Sequence, residues 1–140
     1  MKVTKNPQAG FTLIELLVVL MIIGLLAALV GPSFIRKGEQ GKIGAAKAQI
    51  QMLNTALDMF KLDVGRYPNS QEGLAALVQN PGGTQRWDGP YLRQGKEVPL
   101  DPWEHPYVYR SPGEKGPYDL LSYGADGVAG GQGENADVTG

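Results

Sequence analysis

Residues 11–30 read FTLIELLVVLMIIGLLAALV, and they are followed from Ser33 to about Leu62 by a stretch with a different pattern. The first segment is apolar on every side apart from Thr12, Glu15 and small interruptions, so as a helix it has no polar face to turn to water. Twenty helical residues reach roughly 30 Å, about the thickness of a bilayer's hydrocarbon core. Residues 11–31 are therefore expected to span a membrane. Further on, Ile43, Ala46, Ile50, Leu53, Leu57, Phe60 and Val64 recur at three-and-four spacing, while Lys42, Lys47, Gln51, Asn54, Asp58 and Lys61 fall largely outside that stripe. This predicts one long helix, omniphobic at first and amphipathic to about residue 64, with its apolar face laid on a small domain. Met52, Ala56 and Met59 would widen the core stripe, methionine being a common gap filler. Gly38, Gly41 and Gly44 weaken the helix and are expected to bend it.

Before the apolar run stands a short, more polar segment of ten residues with Lys2, Lys5 and no acid, ending in Ala9-Gly10. Positive charge before a span keeps that end in the cytoplasm and sends the rest across. A secretory signal peptide would have a shorter apolar region with its small-residue site at the far end, a role only Ala27-Ala28 could imitate. A core helix would need a polar face. Glu15 is costly in lipid and calls for a partner. One candidate is the α-amino group that cleavage would free on Phe11 of an adjacent copy; the other reading is a helix-terminal acid at headgroup level, favoured by the macrodipole.

Gly10-Phe11-Thr12-Leu13-Ile14-Glu15 followed by an unbroken apolar helix resembles the type IV prepilin motif. The resemblance implies that prepilin peptidase cuts after Gly10 and methylates Phe11, that Glu15 pairs with a neighbouring subunit's terminal amine during assembly, and that Gly31-Pro32 loosens the helix. Leu57-Asp58-Met59-Phe60-Lys61-Leu62-Asp63, Arg66-Tyr67-Pro68, Gln71-Glu72-Gly73-Leu74-Ala75-Ala76-Leu77, Asp101-Pro102-Trp103 and Ser122-Tyr123-Gly124-Ala125-Asp126-Gly127 together resemble the major pseudopilins of type II secretion systems. That family implies an α+β, type IV pilin-like fold. It also implies a subunit anchored once in the bacterial inner membrane, with residues 1–10 as leader and 32–140 as a periplasmic domain. The domain would polymerise with its own copies into a pseudopilus. Minor pseudopilins and an inner-membrane ATPase platform would be its partners in exporting folded proteins across the outer membrane.

Gly65 to Asn69 should end the long helix, and Ser70 is placed to cap a short helix running to about Gln79 before Asn80-Pro81-Gly82-Gly83. Tyr107 to Arg110 and Tyr118 to Tyr123 are the strand candidates, joined by a turn-forming segment into a small antiparallel sheet over the helix stripe. Asp126 to Asp137 is a glycine-rich acidic loop. Its hard oxygens suit calcium, although it lacks the EF-hand pattern and a solvated acidic tail is the alternative. The family resemblance implies one calcium here, with Asp126 and Asp137 as carboxylate ligands and Tyr123 and Val128 giving backbone carbonyls. It leaves Glu134 and Asn135 open.

The net charge is −1, which gives no reason to expect nucleic acid as a partner. Within the chain, Arg36, Lys37, Lys42 and Lys47 make a basic stem, and acids dominate from Glu97 onward, an asymmetry suited to head-to-tail contacts. Cysteine is absent. That disfavours a surface pilus or adhesin subunit, many of which close a C-terminal loop with a disulfide, and with one histidine it disfavours zinc. His105 with Ser111 and Asp101 forms no recognisable nucleophile motif, so no enzyme is expected.

Overall fold

A computed structural model of the chain describes residues 10–93, 95 and 97–140. Of residues 1–10 only Gly10 lies within that range, so Lys2, Lys5 and Ala9 lie outside the described residues. Helix α1 spans Leu13–Val64 and runs without interruption through Gly38, Gly41 and Gly44. Contacts divide the chain into two units, one up to Gly38 and one from Glu39 to Gly140.

In the first unit, Leu13–Val30 has a mean hydropathy of 3.0 and none of it is buried within the chain. Side chains such as Leu13, Met21 and Leu29 are more than three-quarters exposed. A helix apolar all round with nothing covering it is unstable in water and suited to lipid or to other helices.

In the second unit, the three-and-four stripe becomes the core: Ala46, Ile50, Leu53, Ala56, Leu57 and Phe60 are essentially inaccessible. Each large member contributes about 1.5–3 kcal/mol through burial. Met52 and Met59 do not join them. They are 44% and 48% exposed, because a step of one residue turns the helix by about 100° and carries them away from the packed side. The helix stops at Gly65, whose φ of 87° places it in the left-handed region and whose N–H donates to the Lys61 carbonyl at 2.8 Å. Glycine takes that turn without the strain a side chain would add.

Ser70 caps no helix. Its hydroxyl donates to the Ser111 carbonyl and accepts from the Ser111 N–H. The local turn is instead made by Asn69, whose Oδ1 accepts from the N–H groups of Gln71 and Glu72. Only a short 3-10 helix follows, Leu74–Leu77, so the expected helix to Gln79 is much shorter. Competition from side-chain-to-backbone bonds at Asn69 and Ser70 favours turn over α-helix. Glu72 closes the segment, accepting two 2.7 Å bonds from the Arg66 guanidinium, which holds its carboxyl below the usual range.

Strands β1 (Val108–Arg110), β2 (Asp119–Ser122) and β3 (Val138–Thr139) form an antiparallel sheet in the order β1-β2-β3. Tyr109 pairs with Leu120, and Ser122 with Val138. The first two strands lie inside the expected segments; β3 was not expected. Leu120, Val138, Tyr107, Leu92 and Leu77 complete the core over the helix stripe. Trp87 and Trp103 pack against its edge, with Trp87 Nε1 donating to the Ala76 carbonyl at 2.8 Å.

Candidate functional sites at the helix start and the C-terminal loop

Gly10 and Phe11 precede the helix, and Phe11 is 92% exposed. At the helix start, Glu15 Oε2 accepts from the Thr12 N–H at 2.8 Å and from the Thr12 hydroxyl at 3.0 Å. The Thr12 hydroxyl in turn accepts from the Glu15 N–H at 3.3 Å. This reciprocal arrangement is a capping box, which satisfies helix N–H groups that have no partner within the helix. Its signature, Thr-x-x-Glu, stands in the sequence at residues 12–15. With the Gly10–Phe11 peptide bond intact, the nitrogen of Phe11 is an amide, and the partner of Glu15 is Thr12 of its own chain.

At the other end of the chain, β2 runs into Tyr123 and β3 begins after Asp137, so the glycine-rich segment is a closed loop between paired strands. Its neck is tight. The Ala125 N–H donates to the Glu134 carbonyl at 2.8 Å, and a Cβ on Gly124 (φ 72°) would stand 2.5 Å from that oxygen and 2.8 Å from the Ala136 carbonyl. No residue but glycine fits there. Asp126 Oδ1 accepts from the Val128 N–H at 3.1 Å, and Asp137 Oδ1 accepts from the Gly130 N–H at 2.9 Å. Two acids from opposite ends of the loop thus lie along one arm, residues 126–130. The second oxygen of each takes no hydrogen bond among the described residues. Glu134 and Asn135 form a 3-10 turn, and the Glu134 backbone closes the neck.

Among the described residues no three acids or histidines converge on one point. A cation in this loop must therefore draw on backbone carbonyls beside Asp126 and Asp137, and Tyr123 and Val128 are on the segments that flank Asp126. Oxygen-only donors of this kind fit a hard cation such as calcium.

Sequence reasoning missed the residues that hold the loop's neck. Asp101 is buried, and its Oδ1 accepts from the N–H groups of Trp103 (3.0 Å) and His105 (2.8 Å), while Oδ2 accepts from the Ser122 hydroxyl. Ser122 Oγ also accepts from the Gly124 N–H at 3.1 Å, and His105 Nδ1 lies 3.1 Å from the Gly124 carbonyl. Both backbone groups of Gly124 are thus tied through one intermediary to Asp101. The Asp-Pro turn signal was visible at residues 101–102; its tie to Ser122 was not. The imagined Ser111, His105 and Asp101 grouping does not form, since the imidazole faces Gly124 and the Ser111 hydroxyl donates to the Pro117 carbonyl.

The family profile described as "Type II secretion system (T2SS), protein G" matches residues 33–140, and the "Prokaryotic N-terminal methylation motif" matches residues 5–31. Type II secretion system core protein G of Pseudomonas aeruginosa is 49% identical over 139 residues, covering 96% of this chain and 95% of that one. The Vibrio cholerae protein of the same name is 43% identical, covering 95% and 91%. A crystal structure of the major pseudopilin from the type 2 secretion system of enterohaemorrhagic Escherichia coli aligns with a TM-score of 0.59 at 32% identity, covering 73% of this chain and 88% of that one. Two profiles meeting between residues 31 and 33, relatives matched almost end to end and a shared fold leave one conclusion: the chain belongs to the protein G family of type II secretion systems, the major pseudopilins.

Proposed function

We propose that the chain is made as an inner-membrane precursor, cut by prepilin peptidase after Gly10, methylated on Phe11, and polymerised with its own copies into a periplasmic pseudopilus. Minor pseudopilins and the inner-membrane platform act with it to move folded proteins through the outer membrane. One observation carries the reading: an apolar helix with no residue buried in the chain, Leu13–Val30, lies within the region matched by the methylation motif and is continuous with a pseudopilin domain. Such a helix needs lipid before assembly and other helices after it. The relatives' names favour this over a surface pilus or adhesin.

Cutting after Gly10 turns the Phe11 amide into a cationic amine three residues before Ile14 and four before Glu15. In the precursor Glu15 is occupied by Thr12. An amine from a neighbouring copy exchanges a neutral donor for a charged one, which strengthens the bond in a low-dielectric setting. In the periplasmic part, calcium is held by Asp126 and Asp137 with the carbonyls of Tyr123 and Val128, and it neutralises acids that would otherwise repel across the loop.

Mass spectrometry of membrane-associated chain tests the processing: a mature protein beginning at methylated Phe11 is expected, and retention of residues 1–10 in functional protein would refute it. Glu15→Ala should insert and be cut yet fail to polymerise in cross-linking of intact cells. Normal polymer from that variant would end the pairing argument.

A further inference from the structure

Two Asp-Gly pairs stand in the chain, Asp88-Gly89 and Asp126-Gly127, and the fold treats them differently. A glycine after an aspartate leaves the peptide nitrogen with no side chain beside it to shield it from the carboxyl group. Gly89 is pinned. A Cβ there would stand 2.4 Å from the Trp87 ring, and the Asp88 N–H donates to the Tyr91 hydroxyl at 3.1 Å. Trp87 is itself anchored through Nε1 to the Ala76 carbonyl.

Asp126 and Gly127 are both exposed to water. Asp126 Oδ1 accepts from the Val128 N–H at 3.1 Å, which closes a ring containing the Asp126–Gly127 peptide bond and keeps the carboxyl group beside it. The Gly127 N–H donates to the Gly124 carbonyl at 3.4 Å, a long bond that restrains the nitrogen little. The second oxygen of Asp126 accepts no hydrogen bond among the described residues. In the metal-free loop, carboxyl carbon and glycine nitrogen are thus neighbours, open to water and weakly held.

We propose that Asp126 is a self-modifying site, whose bond to Gly127 rearranges to isoaspartate in the metal-free loop and is protected when calcium is bound. The Gly127 nitrogen bonds to the Asp126 side-chain carbon, and one carboxyl oxygen leaves as water with the N–H proton and a proton from solvent. The resulting cyclic imide then takes up water at the main-chain carbonyl of residue 126, whose bond to the nitrogen breaks. The chain now runs through the side-chain carbon, the mass is unchanged and nothing is oxidised or reduced. The product has one extra main-chain atom next to a neck that the Ala125 N–H and Glu134 carbonyl close at 2.8 Å. Asp126 and the Val128 carbonyl are displaced relative to Asp137, so a temporary lack of calcium becomes permanent loss of the site. The inference rests on the reading of Asp126 as a calcium ligand and adds a chemical consequence to it.

The full-length chain in detergent is incubated at physiological temperature with calcium or with chelator. It is then digested with a protease that cuts before aspartate but not isoaspartate, and the peptides are labelled with isoaspartyl methyltransferase. In chelator, label should accumulate in the peptide spanning residues 126 and 127, several-fold faster than in the peptide containing Asp88. Calcium at about 100 times its dissociation constant leaves about 1% of the loops metal-free, so labelling at residue 126 should slow about 100-fold. Chain aged in chelator should have lost its calcium-dependent rise in melting temperature in proportion to the label. Asp126→Glu, which keeps a carboxylate but must close a larger and less favourable ring, should remove the label there and leave the Asp88 peptide unchanged. If chelated chain gives no label at residue 126 while the same chain in denaturant does, the site is not self-modifying and the proposal falls. Equal labelling with calcium and with chelator, in chain whose melting temperature calcium raises, would overturn the protection and leave the calcium reading standing. Fresh chain whose melting calcium does not shift would overturn the calcium reading and the protection together.

Discussion

Replacing Asp101 by alanine would remove the acceptor of two backbone N–H groups and of the Ser122 hydroxyl, at a position only 4% exposed. A buried donor left unpaired costs about 1–3 kcal/mol. Three such donors at the lower limit amount to about 3 kcal/mol, a large share of the roughly 5–15 kcal/mol that holds a small domain together. At about 4 °C per kcal/mol, the melting temperature should fall by about 12 °C or more. Tryptophan emission of the full chain in detergent follows the right unit, because Trp87 and Trp103 both lie in it. Asp101→Asn keeps an oxygen for Trp103 and His105 but presents an amide to Ser122, so its loss should be smaller. Ser122→Ala strands the Gly124 N–H, and combining it with Asp101→Asn should cost less than the sum by more than about 0.5 kcal/mol, as expected of groups sharing one network. If Asp101→Ala melts within about 4 °C of wild type, water or a rearranged turn replaces the carboxylate, and the account of the loop's neck is wrong.

Glu104 has a φ of 67°, a left-handed conformation that costs most side chains about 1 kcal/mol or more, so Glu104→Gly should raise the melting temperature by a few degrees and Glu104→Val should lower it. The phenols of Tyr107 and Tyr118 are pushed up to about 12, mainly by burial and further by the charges of Asp101 and Asp58 respectively. Their folded values lie above the unfolded value of about 10, so their contribution is complete below pH 10 and is lost as pH rises toward 12. Melting curves should fall steeply across that window, and Tyr118→Phe should flatten the fall; a Tyr118→Phe curve parallel to wild type would count against it. Calcium at about 100 times its dissociation constant should add about 2.7 kcal/mol to the native state, and Asp126→Asn with Asp137→Asn should abolish the gain. Equal melting of wild type with calcium and with chelator would refute calcium binding.

Features that depend on neighbours along the chain were legible from the residues alone. The exposed apolar run Leu13–Val30, the stripe from Ala46 to Phe60, the stop at Gly65 and the strands at Val108–Arg110 and Asp119–Ser122 follow from periodicity, length and turn chemistry, which act over a few residues. The roles proposed for Gly10 and Phe11 come from resemblance, whereas Glu15 stands out by the cost of an acid in an apolar run, and the Thr12–Glu15 box is open to the same local reading. Elsewhere the path of the chain decided. Met52 and Met59 sit at positions compatible with either a broad core or an outward face, and only the placement of the domain on one side of α1 leaves them exposed. Strand β3 is too short to carry a signal and exists because β2 offers it hydrogen bonds at Leu121 and Ser122. Asp101 is buried because Ser122, far along the chain, returns to meet it. Asp126 and Asp137 lie along the same arm because a neck at Gly124, too tight for any side chain, draws the ends of their loop together.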